Sequence, residues 1–213
     1  MTPRFALAVD PIFQRVLALL DQMAQGRTLD PAAEQLAIRE LIERGEAIVG
    51  CSREWDLARY ALVSWIDEML VDTPWNGADW WNDNILEITL FNTRLSSEQF
   101  FHHAAEASEL PQRNAFEVYY NCVLLGFRGF YRSGKLDREY SQAMSYPPDL
   151  ETWLRQAAIG LRLKDRRSEL GPPARTLPGA APLTGRKRFV WSAVLMLMLG
   201  IVNVAGFHLW YRH

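Results

Sequence analysis

Residues 189–211 read FVWSAVLMLMLGIVNVAGFHLWY, twenty-three residues without an Asp, Glu, Lys or Arg. As a helix the stretch rises ~35 Å, enough to cross a hydrocarbon core of ~30 Å with some tilt. A buried core helix of that length rarely stays apolar on every face. Trp191 near one end, and Trp210 and Tyr211 at the other, suit anchoring at the two interfaces. Arg186, Lys187 and Arg188 precede the stretch, whereas only Arg212 and His213 follow it. That asymmetry places the long N-terminal part of the chain in the cytoplasm. The expectation is a helix spanning membrane lipid at 189–211, with a short tail, 212–213, beyond it. Asn203 falls within the span, where its amide can bond to a neighbouring transmembrane helix or lie near the far interface.

Working back from the span, residues 171–185 read GPPARTLPGAAPLTG, with four prolines and three glycines. Such a run packs no element of its own. With the basic triplet it forms a juxtamembrane linker, 171–188, and leaves 1–170 as the folded body. The N-terminal MTPRFALAVDPIF carries Asp10 and no long apolar core, so it is not a secretory signal. A net charge of −2 and a pI near 6.1 imply no basic face for nucleic acid. Cys51 and Cys122 lie in apolar helical contexts on the cytoplasmic side and read as reduced, buried thiols.

The body reads as helix throughout. Phe5, Val9, Ile12, Phe13, Val16, Leu17 and Leu20 recur at helical spacing, and Gly26 closes that helix. Asp30 followed by Pro31 caps a second helix to about Val49, with Leu36, Ile38, Leu41, Ile42 and Ile48 on its buried side. A third, from Arg53 to about Val71, has the stripe Trp55, Ala58, Leu62, Trp65, Ile66 and Met69. The Thr73-Pro74-Trp75-Asn76-Gly77 turn follows. A short aromatic helix is expected over 80–91. Ser96 and Gln99 form a capping box for the next. Pro111 opens a helix carrying Phe116, Tyr119, Tyr120, Val123, Leu124 and Phe127. Asp149 caps a last one to about Leu163. No segment alternates with period two, so no strand is expected and the fold class is all-α.

Reactive constellations are sparse. No phosphate-cradling loop, nucleophile elbow, zinc-binding His-Glu-x-x-His or Cys-x-x-Cys pair is present. Adjacent His102 and His103 point about 100° apart on a helix, poor geometry for one metal. No catalytic residue, cofactor or metal site is expected. The pair Asp67-Glu68 stands on an apolar helix just before the Trp75 turn. It reads either as a helix end or hydrogen bond into the following loop, or as carboxylates lining a partner groove. Trp75, Trp80 and Trp81 crowd the turn beside Asn76, a composition common at interfaces.

The ordered series Ala61-Leu62-Val63-Ser64-Trp65-Ile66-Asp67-Glu68, Thr73-Pro74-Trp75, Leu90-Phe91-Asn92, Phe100-Phe101 and EVYYNCVLLGFRGFYR at 117–132 resembles the DotU/TssL (IcmH-like) proteins of bacterial type VI and type IVB secretion. The resemblance covers about 5–132 together with the anchor. Residues 133–149 depart from the family pattern. The resemblance implies two small helical bundles in a hook, a cytoplasmic body and a periplasmic C-terminus at the bacterial inner membrane, and a homodimer. It implies a membrane complex with a TssM/IcmF-like protein, an outer-membrane lipoprotein in the same complex, and docking of a TssK-like baseplate subunit. Asp67, Glu68, Trp75, Asn76 and Trp80 are the expected partner contacts. The function expected is a scaffold, not an enzyme. The other reading is a membrane-tethered enzyme using Asp67, Glu68 and His102, which requires those groups to converge on a pocket.

Overall fold

The computed structural model describes residues 1–134 and 146–164, together with 196 and 198. Every element among them is helical: α1 (Pro3–Ala24), α2 (Pro31–Val49), α3 (Arg53–Asp72), α4 (Ala78–Asp83), α5 (Leu86–Phe91), α6 (Ser96–Glu109), α7 (Asn114–Leu124), a 3-10 turn (Gly129–Ser133) and α8 (Leu150–Lys164). The all-α expectation holds. Met1–Arg166 forms one compact unit and Arg167–His213 another.

Local chemistry sets the first three helices. Thr2 and Asp30 accept from first-turn backbone N–H groups of α1 and α2, and each of these helices begins with proline. Ser52 does the same for α3. Helices α1 and α2 run antiparallel. The Arg4 guanidinium donates to the Ile48 carbonyl at 2.8 Å, and Arg15 is paired with Glu34 nearer the connecting turn. Gly45 lets α2 approach α3, since a Cβ there would stand 2.5 Å from the Trp55 ring.

Helix α3 is the axle. Twelve of its twenty residues are buried, too many for one face, so it must be surrounded. Helices α6 and α7 flank one side of it, and α1, α2, α4 and α5 also reach it. Trp55 and Trp65 are fully enclosed. Phe5 meets Trp55 edge-on at 6.0 Å, and Phe13 tilts against Trp65 at 5.0 Å. A second aromatic group ties in α6 and α8: Phe100 stacks on Phe127 at 3.8 Å, and Phe101 meets Trp153 edge-on at 5.3 Å. Enclosing such a ring contributes ~2–3 kcal/mol, so these contacts hold the helices together more than propensity does.

Several local expectations are corrected. Leu36 is 57% exposed, and Leu17 faces solvent too, because the hairpin buries only one stripe of each helix. Cys51 is exposed at the α2–α3 break, while Cys122 is buried. The expected helix at 80–91 is two helices, broken at Asn84 and Ile85. The capping box at Ser96 does not form, since Ser96 is the first residue of α6 and not its cap. Asp149 does cap α8, accepting from the Thr152 N–H at 2.7 Å.

No helix among the described residues is long and apolar enough to cross a membrane. The span at 189–211, the linker at 171–188, the tail at 212–213 and Asn203 lie outside the described residues, as does most of 133–149. Of the span only Met196 and Met198 are described. Both are helical, and they are 80% and 65% exposed.

Candidate functional site

Consecutive residues on a helix point about 100° apart, so Asp67 and Glu68 at the C-terminal end of α3 face different neighbours. Asp67 is 5% exposed. Its Oδ1 accepts from the Trp81 indole N–H and the Leu86 backbone N–H, both at 2.9 Å, and its Oδ2 accepts from the Glu87 N–H at 2.8 Å. Helix α5 has no side-chain cap of its own. Asp67 reaches across from α3 to supply one, placing a carboxylate at the positive end of the α5 backbone dipole.

The arrangement recurs. Glu87, in the first turn of α5, is 0% exposed. Its carboxylate accepts from the Tyr60 hydroxyl at 3.0 Å, the Thr93 hydroxyl at 2.8 Å, the Leu95 N–H at 2.9 Å and the Ser96 N–H at 3.1 Å. It therefore serves the start of α6, where the expected Ser96 cap is missing. Glu68 accepts from the Arg128 and Gly129 N–H groups, at 2.7 and 3.0 Å, where the 3-10 turn begins. Arg132 stands 3.5 Å from Glu68 and closes a 2.6 Å ion pair with Asp72. Glu54, in the first turn of α3, accepts from the N–H of Asn114 at the start of α7. Four carboxylates thus terminate four helical starts that lack local side-chain caps.

Burial pushes the Asp67 carboxyl up to about 6, against its three N–H donors, which favour the charged form. Burial also raises Glu68, opposed by the Arg128 and Gly129 N–H groups and by Arg132. Burial, then the nearby Arg53, holds the His103 imidazole below its ordinary value.

Asp67 is therefore not a solvated helix end, since it is enclosed with both oxygens engaged. The alternative drawn from the same residues, a hydrogen bond into the following segment, is the observed geometry. Trp75 is half-buried and donates its indole N–H to the Leu70 carbonyl at 2.8 Å. Asn76 is exposed yet strapped to the α1–α2 connection, accepting from the Leu29 N–H at 3.1 Å and donating to its carbonyl at 2.7 Å. Trp80 is half-buried, edge-on to Trp81 at 6.3 Å. Together Trp75, Asn76 and Trp80 mark one stretch of surface over the α3–α4 turn.

The residues needed for catalysis do not assemble. Asp67 and Glu68 are committed to separate backbone segments. His102 is exposed on α6, and its neighbour His103 packs edge-on against Tyr60 at 4.6 Å. Among the described residues no three His, Cys, Asp or Glu side chains are placed to hold a metal. Sequence reasoning missed Glu87 and Glu54, and it placed Trp81 at the turn without its bond to Asp67. The available signal was a carboxylate inside the apolar run Ile85-Leu86-Glu87-Ile88, which a solvated helix face does not explain.

Residues 7–213 match the family model described as type VI secretion system protein DotU. No curated protein sequence matches. Among solved structures, the cytoplasmic domain of TssL from Acinetobacter baumannii is similar with a TM-score of 0.57 at 23% identity, over 74% of this chain and 98% of that one. SciP/TssL from enteroaggregative Escherichia coli 042 is similar at a TM-score of 0.48 and 20% identity, over 63% of this chain and 82% of that one. The Acinetobacter likeness is one of fold, and that fold is all-helical.

Proposed function

The chain belongs to the DotU family of type VI secretion system proteins, and from that premise we propose that it is a non-catalytic docking component of the secretion machine at the inner membrane. Residues 189–211 span the bilayer, the body lies on the cytoplasmic side, and the C-terminus is periplasmic. A TssM/IcmF-like protein is the membrane partner, with an outer-membrane lipoprotein in the same complex. A TssK-like baseplate subunit docks on the body, and the chain pairs with a second copy. Asn203 takes part in association within the bilayer.

The observation that carries this reading is the commitment of the acidic pair. Asp67 and Glu68 bind backbone N–H groups instead of converging on a cleft, which favours a body built to hold shape. The surface they support, over Trp75, Asn76 and Trp80, offers half-exposed indoles beside a polar rim. The side chains of Met196 and Met198, exposed in the isolated chain, suit contact with lipid.

The test is affinity isolation of the tagged full chain from detergent-solubilised membranes of a host carrying the other secretion components. A large membrane protein and a baseplate subunit should accompany it. Recovery of the chain alone, or from the soluble fraction, would remove the proposal.

A further inference from the structure

A cleft of about 440 Å³ opens where the start of α1, the start of α7 and the end of α8 meet. Thr2, Arg113, Asn114, Tyr120, Asn121 and Arg162 line it. Its one carboxylate, Glu117, is engaged by the Met1 amino group. Arg113 donates to the Gly160 carbonyl at 2.9 Å, and its Nε is buried without a partner. Among the described residues, the Tyr120 hydroxyl, the Asn121 amide and the Arg162 guanidinium also have no partner. The cleft therefore offers several uncommitted donors and two guanidinium groups, with its one acid already paired. Phosphate oxygens are the ligand atoms that match that set.

Charge along the chain says where the phosphate comes from. Residues 161–188 hold eight Lys or Arg and only two Asp or Glu, within a chain whose net charge is −2. The rest of the body is correspondingly acidic, and an anionic bilayer would repel it. The cleft lies where the described body ends and the chain continues in sequence toward 189–211, so it is suited to lie on anionic lipid. We infer that the cleft between α7 and the end of α8 takes the phosphate headgroup of an anionic lipid, orienting the body with its basic end on the bilayer and its acidic surface toward cytoplasmic partners. This rests on the membrane-spanning reading of 189–211.

The test reconstitutes the full chain in nanodiscs of phosphatidylcholine, with and without phosphatidylglycerol, and follows amide hydrogen exchange over 113–121. Exchange should slow by about fivefold or more in the anionic discs, the effect expected from one or two basic groups at an anionic surface. High salt should reverse it, and Arg162→Gln should remove most of it. Arg162 is exposed and unpaired, so that variant keeps its fold, whereas Arg113→Gln also cuts the tie to Gly160. Equal exchange in both discs, with the chain properly inserted, overturns the headgroup site and leaves the spanning helix standing. A chain that fails to enter either disc overturns both. Equal protection by inorganic phosphate without lipid assigns the cleft to a soluble anion and also overturns the lipid assignment.

Discussion

Both oxygens of Asp67 accept N–H bonds inside the fold, and its carboxyl is pushed up to about 6 by burial from an ordinary value of 3.8. Between those values the folded chain holds a proton that the unfolded chain has released. Stability from this group is therefore full at low pH and falls as pH rises through the window. Asn cannot titrate, so the cost of Asp67→Asn should be larger at pH 4.5 than at pH 7, by about 2 kcal/mol. Urea unfolding of both chains at the two values measures this, and a cost that grows toward neutral pH would reverse the sign. At this scale the sequence was half legible. A carboxylate at the end of an apolar helix could be seen to need either solvent or a hydrogen bond, and the bond is what formed. Glu87 was not legible as a cap because its partners, Tyr60 and Leu95, lie on other elements, and only tertiary packing brings them within 3.0 Å.

At the scale of elements, α3, α5 and α6 are connected in series. Asp67 of α3 holds the first N–H groups of α5, and Glu87 in that same turn holds the first N–H groups of α6. Releasing the first link moves the second carboxylate, so the two positions should not act independently. A double-mutant cycle with Asp67→Asn and Glu87→Gln should give a coupling of at least about 1 kcal/mol, measured by urea unfolding. Additive costs would show that the two caps work separately. Helix positions were readable wherever local chemistry fixes them. Asp30-Pro31 and Asp149 mark true starts, because cap and capped N–H are neighbours in the chain. Starts α5, α6 and α7 were displaced or missed, because their caps come from distant carboxylates. The apparent Ser96 capping box lost to Glu87 for the same reason.

At the scale of the molecule, the body folds around one aromatic core and the family assignment extends to residue 213. The expected span at 189–211 rests on the sequence alone, where length, uniform apolarity and basic flank all point the same way. Deleting 189–213 should release the chain from membranes into the soluble fraction and leave its far-ultraviolet helical signal intact per residue. Retention of the truncated chain by membranes through an alkaline carbonate wash would place the anchor elsewhere. The central claim is that the acidic pair holds the body in shape. Its most direct test is urea unfolding of the full chain in detergent with Asp67→Ala and Glu68→Ala together, followed through tryptophan emission. Losing Asp67 leaves three buried N–H donors unpaired, so the account predicts a loss of about 3 kcal/mol or more. An unfolding curve that overlays the wild type, with partner recovery abolished, would contradict it and put both carboxylates on the contact surface.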